Sequence, residues 1–179
     1  MRKALYIMGF LNDFDTEWLA DHGTVQQINK NAVLISEGRE IDSIYILLDG
    51  RLSVIRSGLT GEVARLSSGE ILGEISFVDS RPPVTSVIAL EDSQVFAVRR
   101  DILKAKLADD MGFAARFYQA IGSFLADRLR STVGQLGYGN PLDQPAADDL
   151  DDVWMESVSF AASRFDRLLQ KLGVARRAA

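Results

Sequence analysis

Two neighbouring segments hold the residues with the clearest chemical potential: Gly73-Glu74-Ile75-Ser76 and Arg81-Pro82-Pro83-Val84-Thr85. The first reads as a single short helical turn between the end of one strand and the start of another. Backbone N–H groups at such a turn point the same way and form a nest for an anion. Glu74 is odd beside a purely anionic ligand, because a carboxylate repels phosphate. It accepts hydrogen bonds from hydroxyls, however. The combination suits a ligand that carries both a phosphate and hydroxyls, as a ribose phosphate does. A purely local role is also open to Glu74, since a carboxylate is favourable near a helix N-terminus.

The rest of the composition narrows the chemistry. The chain has 179 residues, 47% of them hydrophobic, enough for one domain with appendages and a substantial core. It contains no cysteine, so neither a disulfide framework nor a thiolate metal site is available. His22 is its one histidine, which removes histidine-rich metal sites and any Ser-His-Asp triad built on another histidine. No catalytic residue, metal site or cofactor is assigned. A net charge of −5 without an evident basic patch argues against a dedicated nucleic-acid binder. No apolar run approaches the roughly 20 residues that span a bilayer. The apolar stretch Leu5–Met8 is short, and Asn12-Asp13-Phe14-Asp15 follows it without a small-residue cleavage site. A cytoplasmic location is expected.

These candidates must be positioned by surrounding elements. Residues 4–22 carry apolar side chains at helical spacing, which suits one or two short helices, with Asp15 or Thr16 as a cap for the second. From about 24 to 99 the pattern changes to strands. Val33–Ile35, Ile44–Leu48, Leu52–Ile55, Glu62–Leu66, Thr85–Leu90 and Gln94–Val98 are β-branched or alternating runs with turn residues between them. Strands this short and this close predict an antiparallel sandwich or jelly roll. Asp49-Gly50 reads as a hairpin turn, because glycine accepts positive φ.

Helical periodicity returns at about 101, where Asp101 is placed to cap a short helix. A longer helix is expected over 111–136. Its apolar stripe (Phe113, Phe117, Ile121, Phe124, Leu125, Leu129, Val133, Leu136) would cover the sheet at one end and a second subunit at the other. Gly137-Tyr138-Gly139-Asn140-Pro141 stops it, and an acidic linker follows. A last amphipathic helix over 153–172 would fold back on the domain or dock on a partner. The domain reading is 1–136, a linker at 137–152, and a terminal helix within 153–179.

In order, Val33-Leu34-Ile35-Ser36-Glu37-Gly38, Ile44-Tyr45-Ile46-Leu47-Leu48-Asp49-Gly50-Arg51-Leu52 and Leu66-Ser67-Ser68-Gly69-Glu70-Ile71-Leu72-Gly73-Glu74 form a set of landmarks. Each is weak alone. Together, with the helices on either side, they make residues 10–136 resemble the cyclic nucleotide-binding domain family, which includes the bacterial catabolite activator and the regulatory subunit of protein kinase A. The resemblance implies an α+β fold: an antiparallel β-roll or jelly roll flanked by N-terminal helices and a long C-terminal helix, here with a further terminal helix. It implies that the segment from Gly73 is a phosphate-binding cassette. Glu74 would accept the ribose 2′-OH, and the N–H groups near Ile75 and Ser76 would meet ligand oxygens. Those near Val84 and Thr85 would meet the cyclic phosphate, with the Thr85 hydroxyl as an extra donor. Thr132 would lie against the base.

The chain departs from that pattern twice. The family's cassette arginine falls at Pro83, which has neither charge nor N–H. A hydrogen bond to a charged group contributes about 1.5–3 kcal/mol, so its loss weakens binding by roughly one to two orders of magnitude. Either Arg81 supplies the charge from another angle, or the pocket serves another ligand or none. Secondly, the stretch after Leu136 is too short and acidic for a winged helix, so no DNA contact is expected. Arg164, Arg167, Lys171, Arg176 and Arg177 read as a solvated basic face.

Two functions follow. One is a regulatory sensor of a cyclic nucleotide such as cAMP or cGMP, acting through a protein partner or through its own homodimer. The alternative is a degenerate fold that binds no nucleotide and serves as an interaction or dimerisation module. A jelly-roll enzyme would need several histidines.

Overall fold

The computed structural model describes residues 4–135 and 152–174. Two short helices open the chain, α1 (Ala4–Phe10) and α2 (Asp13–His22). Eight strands follow: β1 (Gly23–Ile28), β2 (Val33–Ile35), β3 (Ser43–Asp49), β4 (Arg51–Ile55), β5 (Glu62–Ser67), β6 (Ile71–Leu72), β7 (Ser86–Ala89) and β8 (Ser93–Arg99). A one-turn helix, α3 (Glu74–Asp79), lies between β6 and β7. Three helices complete the description: α4 (Arg100–Asp109), α5 (Met111–Gln135) and α6 (Asp152–Lys171).

The strands form two antiparallel sheets, ordered β1-β8-β3-β6 and β2-β7-β4-β5. The central strands of the first, β8 and β3, are buried on both faces, while β1 at its edge is largely exposed. Ile44, Ile46 and Leu48 of β3 point into the cluster shared with the helices, while Tyr45 and Leu47 point between the sheets. β8 divides the same way, with Phe96 and Val98 towards the helices and Val95 and Ala97 between the sheets. This is why β3 reads as an unbroken apolar run rather than an alternation. Each buried Val, Leu, Ile or Phe among them contributes roughly 1.5–3 kcal/mol relative to exposure.

Asp49-Gly50 is not a hairpin. β3 and β4 belong to different sheets, and the chain turns a corner between them. Gly50 has φ +96°, and a Cβ there would lie 2.8 Å from the Cα of Ser93. The glycine therefore serves both a positive φ and a close backbone approach.

The cap of α2 also differs from expectation. Asn12 is the N-cap and accepts from the N–H of Asp15, whose carboxylate accepts in turn from the N–H of Asn12. Asp15 is thus the third residue of a capping box, and its buried carboxylate also receives Arg116 of α5 at 2.6 and 2.8 Å. Asp101 lies inside the first turn of α4, where it accepts from Arg99 and from the N–H of Ile102.

α5 follows the predicted stripe. Phe113, Phe117, Ile121 and Phe124 are buried, and Leu125 packs partly against them. Leu129 and Val133 are exposed; Leu136 and residues 137–151 of the acidic linker lie outside the described residues, and Asp152, read as the linker's end, is the first residue of α6. α6 folds back onto α1 and α2, with Ala161, Phe165, Leu168 and Leu169 buried. Its basic face is not simply solvated. Arg164 and Arg167 pair with Asp13, and Lys171 pairs with Glu17 and Asp21. Arg176 and Arg177 lie outside the described residues.

Candidate functional site

β6 is held against β3 through the pairs Tyr45↔Leu72 and Ile46↔Ile71, so the chain reaches Gly73 from the edge strand of the first sheet. Gly73 turns it with φ +82°. A Cβ there would lie 2.7 Å from Ile41 Cδ1 and 3.2 Å from the carbonyl oxygen of Ser43, so the turn is closed to other residues on two counts. α3 begins at once, and Glu74 is its first residue.

Glu74 is 2% exposed. Its carboxylate receives Arg128 Nη1 of α5 at 2.5 Å, along with its own N–H and that of Ile75. Burial pushes the carboxyl above its usual range, while the Arg128 charge and these N–H bonds oppose the shift. The guanidinium of Arg128 also lies 5.2 Å from the ring centroid of Phe124, one turn earlier on α5.

A second arginine fixes the other end of α3. Arg100 donates to the carbonyls of Ser76 at 2.7 Å and Ile41 at 3.0 Å, and its guanidinium lies over the Phe77 ring. Its Nε is buried without a partner. A cation at the carbonyl end of a helix is favourable. Both arginines come from the α4–α5 unit, so that unit grips the Gly73 turn at two points.

The remaining candidates are placed as follows. Ser76 is buried, Ile75 is half exposed, Val84 is exposed and Thr85 lies between. Arg81 is exposed, and its backbone N–H donates to Asp79 Oδ1. The carbonyl of Pro83 accepts from Gly38 N–H at 2.8 Å, which ties this loop to the turn after β2. Thr132 is exposed, one turn beyond Arg128, and its hydroxyl donates to the Arg128 carbonyl. The structure thus gathers Gly73, Glu74, Ile75 and Ser76 in one turn, adds Arg128 and Arg100, and sets Thr132 on the same side of α5 as Arg128.

Sequence reasoning missed both arginines. Arg128 had left a signal, because it follows Ile121 by seven and Phe124 by four and so falls on the apolar stripe of α5. A charge on a buried stripe calls for a buried partner.

The family model for the cyclic nucleotide-binding domain matches residues 25–110. That stretch belongs to the cyclic nucleotide-binding domain family. A cAMP-dependent protein kinase regulatory subunit from Yarrowia lipolytica is 28% identical over 99 residues, which are 55% of this chain and 26% of that protein. The chain thus spans about a quarter or less of the length of the curated relatives it matches. Among solved structures, a cyclic nucleotide-binding domain from Methylobacillus flagellatus superposes with TM-score 0.66 at 20% identity, covering 78% of each chain. The catabolite activator protein of Thermus thermophilus superposes with TM-score 0.59 at 20% identity, covering 94% of this chain and 88% of that one. At such identities the likeness establishes the β-roll fold with its long helix. No helix-turn-helix is formed among the described residues, where α6 is the one element after α5. No helix among them is long and apolar enough to cross a membrane.

Proposed function

We propose that this chain is a regulatory module in which a cyclic nucleotide of the cAMP type binds the segment from Gly73 to Thr85, and α5 carries the event onward. The observation behind it is the Glu74–Arg128 contact. It joins the residue that the family resemblance gives to the ribose hydroxyl directly to the long helix. A ligand acts only through its different affinity for two arrangements. A hydroxyl arriving at Glu74 alters the environment of Arg128, and that difference is available to α5. Catalysis has no part in this reading.

The output would pass through the protein's own dimer or a protein partner. Met111, Tyr118, Leu129 and Val133 leave apolar surface exposed along α5, which supports a homodimer seam there. A location in the cytoplasm fits this role.

Thermal shift and calorimetric titration with cAMP and cGMP test the reading. Stabilisation by either, abolished in Glu74→Gln, is the expected result. No shift at millimolar ligand would sink it.

One observation favours the alternative of an interaction module without nucleotide. Pro83 occupies the arginine's place, and Arg81 is exposed two residues earlier. On that reading, cassette substitutions leave self-association unchanged, which sedimentation analysis would show.

A further inference from the structure

α6 lies outside the matched family stretch, and its seat is built in an unusual way. On one side it is apolar: Ala161, Phe165, Leu168 and Leu169 share a cluster with Ile7 and Met8 of α1, Leu11 between the first two helices, Leu19 of α2, and Ile121 and Phe124 of α5. On the other side it is electrostatic. α2 presents Asp13, Glu17 and Asp21 at four-residue spacing, and α6 answers with Arg164, Arg167 and Lys171. Arg164 also donates to the Met8 carbonyl at 3.0 Å. Between these helices a cavity of about 200 Å³ remains, lined by Asp13, Phe14, Glu17, Arg167 and Lys171 among others. The outer rim of the α2 side is thus held by ion pairs across an open gap, outside the buried Leu19, and exposed ion pairs are weak.

The apolar side leads to the Gly73 turn. Phe124 is buried in the cluster that seats α6, and Arg128, one turn on, stacks over its ring and holds Glu74. α1 packs against both α5 and α6. A shift of Arg128 therefore bears on the ring beneath it, and so on the surface under α6.

We propose that α6 is a releasable clasp, held on α2 by the acid–base ladder and coupled through Phe124 of α5 to the Glu74–Arg128 contact. Its release would bare the apolar face of α6 and the face of α1 beneath it. The coupling rests on the regulatory reading above for its purpose, but not for its test. Amide exchange of residues 160–172 in the full, ligand-free chain is the measurement, with β4 as an internal control for global destabilisation. Lys171→Glu is expected to raise exchange in α6 about threefold, and the double variant Lys171→Glu/Asp21→Lys to bring it back towards the wild-type rate. Glu74→Gln and Arg128→Gln are each expected to raise it by a similar factor with β4 unchanged. If the ladder variants alone accelerate exchange, the clasp is uncoupled and the proposal fails. If none does, α6 is a fixed part of the core and it fails outright. Failure of wild-type protein to bind cAMP or cGMP would sink the nucleotide reading and leave these results standing.

Discussion

The guanidinium of Arg100 donates to the Ser76 carbonyl at 2.7 Å and so joins the first residue of α4 to the one-turn helix α3. Three of its surroundings are uncharged: two backbone carbonyls and the Phe77 ring. Arg100→Met keeps the length and removes the donors. Leaving two largely enclosed carbonyls without partners costs about 1–3 kcal/mol each when buried. The expected result is a lower denaturation midpoint and faster amide exchange in residues 74–79.

Asp15 and Arg116 tie α2 to α5, with the carboxylate buried and the guanidinium about one-third exposed. Asp15→Ala also removes one side of the capping box. Together these changes are expected to lower stability by about 2–4 kcal/mol, read by chemical denaturation. Asp15→Asn keeps the shape and part of the capping function, and should cost less.

Glu74 gives the stability a pH dependence of unusual sign. Its carboxyl titrates above the ordinary value of 4.5 in the folded protein, chiefly through burial. Between the ordinary and the raised value the folded state holds more protons than the unfolded one. Glu74 therefore makes stability fall as pH rises through that window. Denaturation midpoints taken in steps upward from pH 4.5 should show this slope, and Glu74→Gln should remove its share of it.

Gly50→Ala tests the corner between the sheets. The left-handed conformation costs roughly 1–2 kcal/mol for a residue with a side chain. The approach to Ser93, at 2.8 Å to its Cα, adds to that. A hairpin turn would tolerate the change better, so a loss well above 1 kcal/mol by thermal or chemical denaturation is the expected outcome.

Pro83→Arg restores a cation where the family resemblance places one. If the Gly73 segment binds a cyclic nucleotide, calorimetry should show affinity rising by roughly tenfold or more. An unchanged or absent signal would favour the module without a ligand.

The run of short strands, and with it the jelly-roll class, was legible because turn residues punctuate every short apolar run from Val33 to Val98, whereas the pairing of those strands was not. The two-residue strand β6 was not, since Ile71-Leu72 is too short to carry a period. β1 was not singled out either, because Gly23–Ile28 has only two apolar β-branched residues, and its partner β8 lies some 70 residues on. Gly73-Glu74 was legible as a candidate site only through its place in the ordered set of landmarks, since a lone Gly-Glu pair carries no signal. Arg100 was not, for its role depends on two carbonyls brought to it by distant segments. The ladder on α6 was misread because charge on one helix looks solvated until the acidic helix that faces it is known.

The seat of α6 also sets an order of events in time. Asp13 and Arg164 are 151 residues apart, so a helix made near the start of this chain is completed by one made near its end. Contacts of such sequence separation close late and slow the approach to the native state. Until then, Ile7, Met8 and Leu11 lack part of their cover, and exposed apolar surface on a nascent chain invites aggregation. The last helix of the described structure is in this sense the step on which its first helices wait.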